Sequence, residues 1–423
     1  MRADQAGVRS VLWAVVMTAL LVSTASAADR FVSTAGSDAP NDCLASSNPC
    51  RTIGYAATQA ASGDVVKIVG GNGLYRENLR VDVSTQLAFQ GGYDATFTEP
   101  PDPAAHPTVI DGRHRERVWT LYAGAGQSMD VTIDGFTLRR GLPRSNLSQM
   151  FCCIGKGGGL AAFAEDGGAI QLTIRRTTVT ASRSDDSAGG ILLMGSGFGG
   201  GGGDGGTVAA TLDRAMVTRN KAPYFAGIGI QSIGGTTTAS HVTVSIVNSV
   251  LAGNRVEYDG GGIGVSAYYT GSTSDLSVVN TTITGNRSLG EVPEYAEAVG
   301  GGGISVASND SPVNVNLTNV ILWGNRARAG TGRDLHLEMF GPAVPTVNAD
   351  HLDLGDTALV SGTVNDLGGN VDVDPGLARD FRLLAGSPLI DAGTCGGAPP
   401  SDFEGDARPS GAGCDIGADE FVP

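Results

Sequence analysis

Charge is scarce in this 423-residue chain: 17% of residues are charged, and the 43 acidic groups outnumber the 28 basic ones. The formal net charge is −15. An acidic, lysine-poor protein repels phosphate before contact, which argues against nucleic acid as a partner. Long hydrophobic runs are missing apart from Val11–Val22 near the start. That run is too short for a comfortable membrane span. Helical periodicity is scarce as well. No unit of the central region holds a ten-residue stretch with helical apolar spacing, which excludes leucine-rich and ankyrin solenoids. None of the six cysteines has zinc-site spacing with a histidine.

Glycine is abundant: 64 residues, about twice the usual share, as a chain of many turns requires. Between Val131 and Asn325 one phrase recurs six times. It reads VTIDGFTLRRG from Val131, LTIRRTTVTAS from Leu172, ATLDRAMVTRN from Ala210, VSIVNSVLAGN from Val244, LSVVNTTITGN from Leu276 and VNLTNVILWGN from Val315. Each copy is followed by glycines and an aliphatic residue, ending at Leu160, Ile191, Ile230, Ile263 and Ile304. The equivalent residues Gly135, Arg176, Arg214, Asn248, Asn280 and Asn319 lie 41, 38, 34, 32 and 39 residues apart. A fixed order of parts at variable spacing is the mark of a solenoid. Apolar residues alternate within each copy, as in Val244 and Ile246 or Leu276 and Val278. Period two means strands. The expected fold is therefore all-β, a parallel β-helix.

Asn220, Asn254, Asn286 and Asn325 close four successive copies. Asparagine tolerates the left-handed backbone of a sharp turn, and its amide can reach the neighbouring coil about 4.8 Å away. These four are expected to form a structural ladder.

Before the repeats, Arg2 and Arg9, the apolar run and Ala25-Ser26-Ala27 read as an export signal, residues 1–27. Its removal takes away two positive charges and Asp4, so the net charge moves from −15 to −16. A secreted or surface-exposed bacterial protein is expected. Export permits disulfides. Cys43 pairs with Cys50 and Cys395 with Cys414 on this reading, while the pairing of adjacent Cys152 and Cys153 stays open. Residues 28–112 read as an N-terminal cap and first coils, 113–340 as the repeats, and 341–423 as last coils and a C-terminal cap. Arg51–Ala61 is the one short helix, with Ile53, Ala56, Ala57 and Ala60 on one face, covering an open sheet edge.

The opening FVSTAGSD…C…PCRTIGYAATQAASGDVVKIVGGNGLYREN resembles the start of bacterial secreted right-handed β-helix proteins of the pectate-lyase-like superfamily. The glycine–aliphatic and asparagine alternation is similar to the repeats of polymorphic outer-membrane proteins. The stretch Asp380–Phe421, DFRLLAGSPLIDAGTCGG…DFEGDARPSGAGCDIGADEF, is similar to the choice-of-anchor Q module. The resemblance implies a right-handed parallel β-helix with a short N-terminal capping helix. It also implies polysaccharide lyases and hydrolases among the relatives. One departure is that no stretch here reads as the β-barrel translocator of the outer-membrane proteins.

Counting from each turn, Arg183, Lys221, Arg255, Arg287 and Arg326 occupy equivalent positions, one per coil. Three residues on, Asp186, Tyr224 and Tyr258 are also equivalent by this count. A basic row beside a partly aromatic row suits an acidic polysaccharide, since guanidinium groups hold carboxylates and tyrosines offer flat faces to sugars. Arg183, Lys221, Tyr224, Arg255, Tyr258 and Arg287 are the expected ligand contacts. The plainer alternative is a solvated edge on which the bases pair with Asp185, Asp186, Glu257, Asp259 and Glu291. The loops Leu142–Lys156 and Leu289–Ala298 should overhang this edge, and the glycine tract Gly195–Gly206 a different one.

The expected function is non-catalytic binding of extracellular polysaccharide or surface glycans. The alternative is a lyase or hydrolase. A lyase would combine Lys221 or Arg255 with a cation held by Asp185, Asp186 and Glu257. A hydrolase would use Asp186 and Glu257, two coils and roughly 9.6 Å apart. A purely structural surface protein is the third reading. No cofactor is expected. Asp402, Glu404 and Asp406 around Gly405 admit calcium, although a turn suits their spacing better. His106, His114, His241, His336 and His351 fall in unrelated registers and read as scattered surface or edge residues.

Overall fold

A computed structural model describes residues 27–71, 73–143, 155–197, 204–235, 238–290, 300–328, 332–359 and 361–423. Among the described residues every pairing between strands is parallel, and each strand pairs with its counterpart one coil away. Leu172 lies beside Val131 below it and Ala210 above it, and Val244 beside Leu276. The chain is a parallel β-helix.

Each central coil contributes to three sheets. The long sheet runs from Asp29–Val32 to Thr363–Gly368 and takes two strand segments from most coils. The second sheet has nine strands, from Leu79–Val81 to Thr357–Leu359. The short sheet has four two-residue strands, Lys221–Ala222, Arg255–Val256, Arg287–Ser288 and Arg326–Ala327. Alternation decides what faces in. Ile133, Ile174, Leu212, Ile246, Val278 and Leu317 are all buried and stack into one column. Burying each such side chain contributes about 1.5–3 kcal/mol.

The corners depend on left-handed residues. Gly135, Arg176, Arg214, Asn248, Asn280 and Asn319 all have φ between 43° and 82°. A second such residue precedes each ladder position: Ala181, Arg219, Gly253, Gly285 and Gly324. The left-handed turn expected at the ladder asparagines thus sits one residue earlier. The asparagines themselves are buried. Nδ2 of Asn254 donates to Oδ1 of Asn286 at 3.0 Å and to the Val217 carbonyl at 2.9 Å, and the Asn254 N–H reaches the same Oδ1 at 3.0 Å. The same set links Asn220 to Asn254 and Asn286 to Asn325. Ser182 starts the ladder by donating its N–H to Asn220, and the Asp334 carboxylate ends it by accepting from Asn325.

The ladder explains why glycines recur in step with it. A Cβ on Gly227 would lie 3.1 Å from the Asn254 amide nitrogen, and one on Gly303 3.0 Å from that of Asn325. The carbonyl oxygens of Gly262 and Asp334 on the next coil are closer still, at 2.3 Å and 2.4 Å, so backbone and asparagine amide together leave no room for a larger residue.

At the N-terminal end the helix is Ile53–Gln59. Thr52 caps it, and both Glu77 carboxylate oxygens accept its first N–H groups. Ile53 and Ala56 face the core. The C-terminal segment folds back along a flank. The carbonyls of Thr394, Asp415 and Ser401 accept from Asn319, Asn280 and Asn248 on three successive coils. Leu383, Leu389 and Ile416 pack on Ile321, and Ala418 on Val250 and Ala252. Outward aliphatic residues on those coils need cover, and this segment supplies it.

Candidate functional site

The short sheet brings the basic row together. Arg183 lies beside Lys221, Lys221 beside Arg255, Arg255 beside Arg287 and Arg287 beside Arg326. Neighbouring strands are about 4.8 Å apart, so five cations stand on one edge. Lys221 pairs with Glu257 at 3.4 Å. Arg183, Arg255, Arg287 and Arg326 are exposed and form no ion pair among the described residues. The neighbouring acids therefore neutralise one member of the row, and four positive charges face outward. Glu291 lies outside the described residues.

The aromatic row stands one step further along each coil. The rings of Tyr224 and Tyr258 are 4.5 Å apart between centroids and tilted by 37°. Tyr224 is 37% exposed. Its coil-below neighbour is Ser187 and not Asp186. The coil of Arg183 spends one more residue before the pairing resumes, which shifts the count by one. Asp186 instead turns toward Lys156, 3.9 Å away.

Beyond Tyr224 the chain enters the outward face of the second sheet, where a cleft of about 610 Å³ opens. Tyr224, Phe225, Tyr268 and Tyr269 line it, with Gln231 and Asp186 as polar groups. Phe225 lies flat on the next strand because position 264 is glycine; a Cβ there would come 1.7 Å from the ring. Lys156, Ser187 and Ser196 line the cleft too, so aromatic faces and polar groups converge on one hollow, as they do in ligand sites. Beside the basic row is a second hollow of about 400 Å³, lined by Leu142, Arg183, Lys221 and Glu257.

No family model and no curated protein matches this sequence. Among solved structures, the chain is similar to the crystal structure of pectate lyase Pel9A, at 14% identity. The match covers 93% of this chain and 97% of that one, with a TM-score of 0.49.

Polar groups buried near the cleft were not legible in the sequence. Asp259 has a buried Oδ1 with no hydrogen-bond partner among the described residues, and burial pushes its carboxyl up to about 6. His336 lowers that value and Glu338 raises it, so both lie within electrostatic reach. His336 is 1% exposed, with both ring nitrogens unpartnered among the described residues. It is an interior residue, contrary to the surface position expected. Asp259 also raises the Tyr224 and Tyr268 hydroxyls, behind the effect of burial. The carboxylate pair weighed from sequence, Asp186 and Glu257, is instead engaged with Lys156 and Lys221.

The other proposed sites resolve by geometry. Asp402 Oδ1 accepts from the N–H groups of Glu404, Gly405 and Asp406, and Oδ2 from that of Glu420. The carboxylate thus organises a turn. Its ligand atoms lie within 4.8 Å of those of Glu404 and Asp419, and Asp406 stands outside that group. Cys43–Cys50 and Cys395–Cys414 are disulfides. Cys152, Cys153, residues 1–26 and most of the loops Leu142–Lys156 and Leu289–Ala298 lie outside the described residues, as does the centre of Gly195–Gly206. No helix among the described residues is long and apolar enough to cross a membrane.

Proposed function

We propose that the protein is exported and binds an acidic polysaccharide along the edge formed by the short sheet and the adjoining cleft. Four exposed arginines without carboxylate partners among the described residues, stacked beside the Tyr224–Tyr258 pair, carry this reading. Guanidinium groups hold carboxylates by paired hydrogen bonds. Each exposed pair contributes only about 0.2–1 kcal/mol, so a polymer spanning several coils suits the row better than a single sugar acid. The tyrosine faces supply apolar contact to sugar rings. Two disulfides fit an oxidising compartment.

A second reading, cleavage of the bound polymer, is favoured by one observation: a buried carboxyl, Asp259, with a raised pKa at the side of an aromatic cleft. Columns of immobilised polygalacturonate, alginate and hyaluronate, with dextran as neutral control, test the proposal. Retention on an acidic polymer, released by added salt, is expected. No retention, or equal retention on dextran, overturns it and leaves a structural role. New reducing ends or an unsaturated product in the eluate would establish cleavage.

A further inference from the structure

The aromatic cleft and the basic row differ in charge. Lys156 and Asp186 are the charged residues that line the cleft; their Nζ and Oδ2 stand 3.9 Å apart, so the two charges offset each other. Gln231 projects from the outward face of the strand Ile228–Ile233 into the lining and is 5% exposed. Its buried Oε1 has no hydrogen-bond partner among the described residues. An unmet acceptor takes a hydroxyl and repels a carboxylate. Tyr269, also on the lining, is 55% exposed and has a φ of 66°. Bulky residues seldom adopt that left-handed backbone. The register-equivalent residues Asp166 and Asp310 share it, and aspartate tolerates it. The Tyr269 N–H donates to the Asn309 carbonyl at 3.2 Å, and its own carbonyl accepts from the Ser272 and Ser311 hydroxyls. A tyrosine pinned in a strained conformation on the wall of a hollow marks a place where strain serves binding.

We infer that the cleft holds an uncharged sugar residue, its ring against Tyr269 and Tyr224 and its hydroxyls on Gln231 and the Lys156–Asp186 pair. A volume of about 610 Å³ lies within the usual range of small-ligand sites. Hydroxyls both donate and accept, which suits a lining that offers an amide, an ammonium and a carboxylate. A uronate here would set its carboxylate against Asp186 and the unmet Gln231 oxygen. Burial raises the Tyr224 hydroxyl most, and Tyr258, Asp259 and Asp186 add to the rise, so the potential in the cleft disfavours a further anion. The bound polymer is then a heteropolysaccharide, with acidic residues on the arginine row and a neutral residue in the cleft. That one polymer carries both rests on the function proposed above; the neutral-sugar site does not.

Ligand-observed NMR on the full chain, with methyl glycosides of glucose, galactose, mannose and rhamnose and with methyl galacturonoside as competitor, tests the site. Binding of a neutral glycoside is expected, insensitive to salt and poorly displaced by the uronate. Tyr269→Asn should weaken it about two- to tenfold while raising the melting temperature, because asparagine tolerates the left-handed backbone. A merely structural tyrosine would not couple greater stability to weaker binding. Gln231→Leu should weaken the same glycoside, and Arg255→Ala/Arg287→Ala should leave it unchanged. No neutral glycoside bound, equal displacement by the uronate, or Tyr269→Asn and Gln231→Leu binding like the wild type overturns the site. If polygalacturonate is not retained but a neutral glycoside binds, the acidic-polymer reading falls and the cleft stands; the reverse result keeps the row and removes the cleft.

Discussion

Asp353 illustrates what burial does to one residue. It is fully buried; Oδ1 accepts the Val373 N–H, and Oδ2 has no partner among the described residues. Burial pushes its carboxyl up to about 7, with Asp372, Asp334 and Asp374 adding to the rise and the Val373 N–H opposing it. The unfolded value is near 3.9. The folded protein therefore favours the protonated acid. The stability this contributes is present below about pH 4 and is lost as pH rises through 7. Asp259 and Asp419, raised to about 6 and about 7, act in the same direction. Asp353→Asn keeps the acceptor and removes the ionisation. Its urea midpoint should exceed the wild type's at pH 8 and match it at pH 4. A variant that tracks the wild type at both values contradicts the assignment.

The ladder works as an element. Replacing Asn254 by Ala strands the Val217 carbonyl and the Asn220 N–H in a dry interior and takes one of its two donors from Asn286 Oδ1. At about 1–3 kcal/mol per unmet group, Asn254→Ala should cost on the order of 3–5 kcal/mol in denaturant unfolding. A loss below about 1 kcal/mol would show that the rungs are not coupled. This element was legible in the sequence because the repeat wrote it out: asparagines at one register and glycines in step with them. The basic row was legible for the same reason. Three things were hidden. The extra residue between Arg183 and Ser187 displaced Asp186, and only the pairing reveals it. His336 was read as a surface or edge residue, and nothing in the sequence says that the outward face of the second sheet is buried there. The flank covered by Leu383, Leu389 and Ile416 depends on contacts more than 60 residues distant in the chain, which no local pattern encodes.

At the scale of the whole molecule, the net charge of −15 opposes any polyanion. Binding an acidic polymer therefore requires the positive charge to be concentrated where the polymer lies. A solenoid does this, because residues about 30 to 40 positions apart become neighbours on one edge. At about 0.1 M salt the Debye length is about 10 Å. Adjacent arginines then act together on the polymer, while more distant acidic groups are screened. The most direct test of that arrangement is the affinity of an oligouronate, by calorimetry at that salt, for the wild type and for Arg255→Ala/Arg287→Ala. Two exposed pairs at about 0.2–1 kcal/mol each predict a loss of roughly twofold to thirtyfold at unchanged melting temperature. Equal affinity in the two proteins would contradict the account.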